Sequence, residues 1–119
     1  MDRIDLENRL IDFAVMIVDL VDEIPKSRGR NHLLTQLARS GTSPVLNYAE
    51  SQSAESKKDF IHKMSISLKE LRESLMCLII IQRSKKYITN PEMLVAAKEC
   101  DELISIFVKS IQTAKRNLR

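Results

Sequence analysis

A chain of 119 residues with 44% apolar and 29% charged side chains has the proportions of one soluble domain, long enough to bury roughly two thirds of its unfolded surface. Aromatic residues make up only 4% and tryptophan is absent, which argues against the base-stacking platforms of RNA-recognition and oligonucleotide-binding sheets. With a formal net charge of only +3, where the charges fall matters more than their total.

Met1-Asp2-Arg3-Ile4-Asp5 is charged and mixed, unlike a secretory leader. The longest nearly apolar run, Leu10 to Val21, is interrupted by Asp12 and Asp19, and a membrane span needs about 20 apolar residues. A cytoplasmic protein without membrane contact is therefore expected. Cys77 and Cys100, far apart and without metal-ligand spacing, fit that compartment as reduced, buried thiols.

A first helix is predicted from about Ile4 to Ile24, apolar over most of its circumference, with Asp5, Asp12 and Asp19 on one narrow stripe. Pro25 ends it, and Lys26-Ser27-Arg28-Gly29-Arg30 is the first joint. A second helix starts near Asn31 as its cap and runs through Leu33, Leu34, Leu37 and Ala38. Pro44 in its middle removes the donor to the Ser40 carbonyl, which predicts either a kinked continuous helix or a stop with a loop at 40–44. The small residues Ala38, Ser40, Gly41, Thr42 and Ser43 would let another backbone approach closely there.

Ser56 with Asp59 approximates a capping box that opens the third helix. Met64, Leu68, Leu71, Leu75, Leu78 and Gln82 trace its heptad seam, and the unbroken apolar run Leu75 to Ile81 implies cover on more than one side. After the joint Ser84-Lys85-Lys86-Tyr87-Ile88, Thr89 and Glu92 read as a second capping box, with Pro91 where a missing N–H costs nothing. Met93, Ala97, Cys100, Ile104, Phe107, Ile111, Ala114 and Leu118 carry the fourth helix to the end. The expected fold is all-α: an antiparallel up-and-down four-helix bundle over residues 1–119, its second helix kinked near Gly41 and Pro44.

The first helix has more apolar surface than one bundle stripe can bury. Val15, Met16 and Val18 cannot all point inward together with Phe13, Ile17, Leu20 and Val21. Large exposed apolar patches are rare on soluble monomers, so a homo-oligomer is expected, through Leu10, Val15, Met16 and Val18 and through Ile79 and Ile80 of the third helix. A compact monomer with a central first helix is the alternative.

Charge is segregated. Residues 1–24 carry a net −5, residues 25–48 a net +4 and residues 76–91 a net +3. In an up-and-down bundle the first and third joints share one end, gathering Lys26, Arg28, Arg30, Arg83, Lys85 and Lys86, partly offset by Asp22 and Glu23. Such a pole is a candidate nucleic-acid-binding surface for RNA or DNA backbones, without base readout. The plainer reading is that basic joints keep the protein soluble. At the other end Lys115, Arg116 and Arg119 stand beside Asp2, Asp5 and Glu7 and are expected to be neutralised by them.

Catalytic chemistry finds little support. Asp59 and His62 have the spacing of half a di-iron motif, but the second copy is missing because Gly29 stands three residues before His32. Neither a nucleophile elbow nor a phosphate-cradling glycine loop is present. No catalytic residue, metal or cofactor is expected. Asn47 and Glu50 either bridge backbone freed at Pro44 or line a groove. His62 and Lys63 read as a solvated face, and Lys58, Lys69 and Arg72 as a loose basic stripe diluted by Glu70 and Glu73.

Arg39-Ser40-Gly41-Thr42-Ser43-Pro44, then Asn47-Tyr48-Ala49-Glu50 and Ala54-Glu55-Ser56-Lys57-Lys58-Asp59-Phe60-Ile61-His62-Lys63, resemble the four-helix-bundle family named after ribosomal-RNA intervening sequences. Met64-Ser65-Ile66-Ser67-Leu68-Lys69-Glu70-Leu71-Arg72-Glu73 is similar to its third-helix pattern. The likeness covers nearly the whole chain and is densest at 36–75. Two departures are Pro44-Val45-Leu46, where many members have Ile-Gly-Ala or Ile-Pro-Ser, and Ser51, where many have glycine. The resemblance implies a continuous, kinked second helix with Arg39, Gly41, Pro44, Asn47 and Glu50 as its motif. It also implies a cytoplasmic, non-enzymatic homo-oligomer, typically a ring-shaped pentamer. A more distant similarity in fold, to the accessory protein of diversity-generating retroelements, adds the analogy of a basic ring that binds nucleic acid and a reverse transcriptase. The leading expectation is an oligomeric scaffold that contacts nucleic-acid backbone through its basic pole. The alternative is a protein–protein interaction adaptor for a genetically linked partner, without nucleic-acid binding.

Overall fold

The structure, a computed structural model, describes residues 1–84 and 90–118. Four helices follow one another: α1 (Arg3–Glu23), α2 (Arg28–Ser51), α3 (Lys57–Arg83) and α4 (Pro91–Arg116), with no strand among the described residues. They lie side by side in a bundle of 49 × 22 × 21 Å. Each helix packs on the next in sequence and α1 closes against α4, so α1 and α3 sit across the diagonal. Contacts between neighbours run in opposite order along the chain: Ser40 meets Ser74 while Pro44 meets Ser67, and Tyr48 reaches back to Arg3.

Local chemistry sets the boundaries. Asp2 caps α1 by accepting from the Asp5 N–H at 2.9 Å, and the extended backbone of Ile24 before Pro25 ends it. The cap of α2 is Ser27 rather than Asn31, so this helix begins earlier than its sequence suggests. Ser27 Oγ accepts from the Arg30 N–H at 3.2 Å and the Ser27 N–H donates to Asn31 Oδ1 at 3.1 Å. Two orphan donors are thereby satisfied at once, which outweighs the weak helix propensity of Gly29. Ser56 caps α3 as its spacing predicts, accepting from the Asp59 N–H at 3.0 Å. The cap of α4 is Asn90, which accepts from the Met93 N–H at 3.0 Å with Pro91 in the first helical position. Thr89, expected in that role, lies outside the described residues.

α2 is helical through Pro44, so no loop interrupts it at 40–44. Side chains supply donors to the carbonyls on either side. Thr42 Oγ1 donates to the Ala38 carbonyl at 2.7 Å, Ser43 Oγ to that of Arg39 at 2.7 Å, and Asn47 Nδ2 to that of Ser43 at 3.2 Å. The Pro44 carbonyl in turn accepts from Ser67 Oγ of α3 at 3.1 Å.

The core is apolar along α1 and α4, but the α2–α3 face is partly built from serine. Ser40 and Ser74 are buried and share a hydrogen bond of 2.9 Å. Their small volume brings the two helices together at little desolvation cost, because each hydroxyl is satisfied. α3 accordingly buries Ser67, Ser74, Cys77 and Ile81 beside the expected Met64, Leu71 and Leu78, a wider band than an apolar seam alone. On α4, Met93, Cys100, Phe107 and Ile111 are buried as expected, while Leu118 lies beyond the end of the helix and is exposed. Tyr48 and Phe107 meet edge to face, with ring centroids 6.0 Å apart.

Candidate nucleic-acid interface

The joint between α1 and α2 meets the end of α3. Ser27, Gly29, Arg30 and Leu33 share a surface cavity of about 450 Å³ with Ile80 and Ser84. Lys26, Arg28 and Arg83 are exposed at this end, and none of the ion pairs among the described residues involves them. The first turn of α2 has no acidic residue, so its unpaired N–H groups add partial positive charge to the same surface. Asp22 and Glu23, exposed at the end of α1, weaken that field. Arg30 is half-buried and its Nε donates to the Pro25 carbonyl at 3.0 Å, which ties the joint together. Lys85 and Lys86 lie outside the described residues.

The opposite end departs from expectation. Asp2 is engaged as a cap, Arg116 donates to Thr113 Oγ1 at 3.3 Å, and Lys57 Nζ reaches the Asn117 carbonyl at 2.9 Å. Among the described residues, no ion pair joins Lys115 or Arg116 to Asp2, Asp5 or Glu7. Arg119 lies outside the described residues.

The motif of α2 holds helices together. Arg39 Nη1 donates to Glu70 Oε2 at 2.8 Å, and Nη2 engages Glu73. Glu70 and Glu73 are therefore turned to α2 and clamped. Gly41 faces Ile17 of α1, and a β-carbon there would lie 2.7 Å from Ile17 Cγ2. Asn47 donates to the Ser43 carbonyl just before Pro44, a different carbonyl from that of Ser40, whose donor the proline removes. Glu50 Oε1 accepts from Lys63 Nζ at 3.3 Å, so Lys63 belongs to an α2–α3 ion pair.

The six residues expected to join copies divide. Leu10 is only 1% exposed: it points inward with Leu6 and Phe13 and cannot reach another molecule. Met16 and Ile79 are half-buried, while Val15, Val18 and Ile80 are exposed. Sequence reasoning missed Ile4 and Ile11, exposed on the same stripe as Val15 and Val18, although the seven-residue steps from Ile4 to Ile11 to Val18 carry the signal.

Both cysteines are free and buried. Burial pushes the Cys100 thiol up to about 12, helped by Asp101 and Glu99, and its sulfur lies 3.1 Å from the Leu71 carbonyl. Burial raises the Cys77 thiol as well. A thiol so raised stays protonated until pH passes its ordinary value near 9, so neither is a nucleophile at neutral pH. Native protein at pH 8 is expected to release under a tenth of its thiol signal to an aromatic disulfide reagent in the time that unfolded protein reacts completely. Fast native reaction would contradict this burial. Among the described residues, no three His, Cys, Asp or Glu side chains converge as a metal site, and no helix is long and apolar enough to cross a membrane.

Residues 3–109 match the model of the 23S rRNA-intervening sequence protein family. The chain belongs to that family. Among solved structures, a protein of unknown function from the S23 ribosomal protein family of Bacteroides thetaiotaomicron VPI-5482 is similar. It has a TM-score of 0.83 and 29% identity, over 94% of this chain and 99% of that one. No curated protein matches the chain. As a 23S rRNA-intervening sequence protein, the chain has all three of α1, α2 and α3 and most of α4 within the matched region.

Proposed function

We propose that this chain is a non-enzymatic, self-associating helical scaffold whose basic end contacts the phosphate backbone of nucleic acid without reading bases. One observation carries the reading: Lys26, Arg28 and Arg83, from two separate chain segments, stand exposed at one end together with the acid-free first turn of α2. Copies arranged around a common axis multiply that patch, and phosphate binding needs only such a field. The exposed stripe Ile4, Ile11, Val15 and Val18 supports self-association. Buried, protonated thiols support a non-catalytic role.

Fluorescence anisotropy with a structured RNA and an unrelated DNA duplex tests it. Both are expected to bind with similar affinity, and binding should weaken steeply between about 50 and 200 mM salt. The triple variant K26A/R28A/R83A should flatten the log–log salt slope by roughly 0.9 for each phosphate that is no longer neutralised. No binding by wild type at about 50 mM salt removes the proposal. It would leave the adaptor reading, which the exposed Leu94 and Val95 of α4 favour as a surface for another protein.

A further inference from the structure

We propose that the cavity at the end of the bundle opposite the basic joints binds a small aryl carboxylate, its ring against the apolar lining and its carboxylate turned to Arg3 and Lys109. This goes beyond the backbone-binding reading and uses none of the residues assigned to it.

All four helices border this cavity of about 460 Å³, a volume within the range of small-molecule sites. Leu6 of α1, Tyr48 of α2, Phe60 and Met64 of α3 and Ile106 of α4 make its apolar lining, with Tyr48 and Met64 almost wholly buried. Two aromatic rings and a thioether favour a flat aromatic guest over a branched aliphatic one. Ser110 stands one turn beyond Ile106 and is too small to fill the space. The smallest of the four helix interfaces, between α1 and α4, leaves that side open.

The polar rim carries the preference for an anion. Arg3 and Lys109 are exposed at the cavity, and none of the ion pairs among the described residues involves either. Asp2 is the one carboxylate among the described lining residues, and its Oδ1 is already engaged by the Asp5 N–H as the cap of α1. Glu7 is outside the lining, although its charge reaches Tyr48. Burial, with Glu7 next, raises the Tyr48 hydroxyl, so it stays protonated at neutral pH. That hydroxyl donates to the Arg3 carbonyl only over a long 3.4 Å, and a carboxylate beside Arg3 is a better acceptor. The Ser110 hydroxyl is a second donor at the same rim.

Magnetic resonance of isotope-labelled methionine methyls in the full chain tests the site, with phenylbutyrate, phenylbutanol and phenylbutylamine as probes at one salt concentration. The Met64 signal should shift on titration with the acid, half-saturating on the order of 1 mM, while those of Met16, Met76 and Met93 stay in place. The alcohol should bind about fivefold more weakly, and the amine more weakly still. R3Q/K109Q should bring the acid to the affinity of the alcohol and leave the alcohol unchanged. S110F, which fills the cavity, should abolish both, and the smaller S110L replaces it if circular dichroism shows that S110F does not fold. No Met64 shift with acid up to about 10 mM, or equal shifts at all four methyls, would overturn the site. Equal affinity for acid and alcohol in wild type would overturn the carboxylate assignment, as would an R3Q/K109Q chain that keeps the acid's advantage. A folded Ser110 variant that binds like wild type would place the probe elsewhere and overturn the proposal too. The anisotropy result with nucleic acid bears on none of these outcomes, so the two readings fail separately.

Discussion

Gly41→Ala is expected to destabilise the protein by about 1–2 kcal/mol, although alanine forms helix better than glycine by about 1 kcal/mol. The added carbon would stand 2.7 Å from Ile17 Cγ2, 2.8 Å from Cγ1 and 3.0 Å from Cβ. These atoms sit at the base of a fully buried, β-branched side chain that has little freedom to swing aside. Overpacking of this kind costs about 1–3 kcal/mol, which exceeds the helix gain. Ile17→Ala removes Cγ1 and Cγ2 and leaves only Cβ, at 3.0 Å, so in that background the same substitution should lose most of its cost and fall within about 1 kcal/mol of neutral. Urea titrations of the four proteins measure the coupling. Equal losses in both backgrounds would mean that close approach is not why glycine stands there.

Phe107→Ala should be more damaging, at about 3–5 kcal/mol, a large part of the roughly 5–15 kcal/mol that holds a typical domain folded. Phe107 is fully buried on α4, and its ring meets Tyr48 of α2 edge to face across the bundle. Truncation leaves a cavity and strips the Tyr48 ring of its partner. Phe107→Leu keeps most of the volume and should cost less than half as much. Thermal melts followed by circular dichroism separate the two. Similar losses for both would assign the stability to the aromatic pair rather than to filled space.

Helix number, order and most of the core follow from apolar periodicity and caps, and the family resemblance carried by 36–75 matches the family to which the chain belongs. Where sequence and structure part, the reasons are identifiable. The run Leu10 to Val21 is so apolar that its phase is ambiguous, and apolarity alone sets Leu10 outside where Ile11 belongs. The phase is fixed by the polar residues Asp5, Asp12, Asp19 and Asp22, and by Ile4 before the run. Ser27 hides within a glycine-containing basic stretch that looks like a loop, because a reciprocal cap with Asn31 becomes visible only in three dimensions. For α4 the clue is in the sequence: proline at the first helical position places the cap at Asn90. Ser67 and Ser74 fall outside any apolar seam, since their burial depends on partners in α2. Arg39 reads as a contributor to a basic segment, yet its two carboxylate partners are 31 and 34 residues away. The basic end itself is legible from the alternation of joints, except that Arg30 is drawn back onto the Pro25 carbonyl.

The four seams of the bundle are unequal. α2 and α3 are joined by serine hydroxyls and the Arg39 clamp over the most extensive interface, whereas α1 and α4 share the smallest, bridged by Arg9 to Glu99 at 2.9 Å and to Glu102. A groove lined by Met16, Pro91 and Val95 opens along that join. Fluctuations will therefore part the first helix from the last before they disturb the central pair. The molecule behaves as a sheaf bound firmly through its middle and latched at one edge.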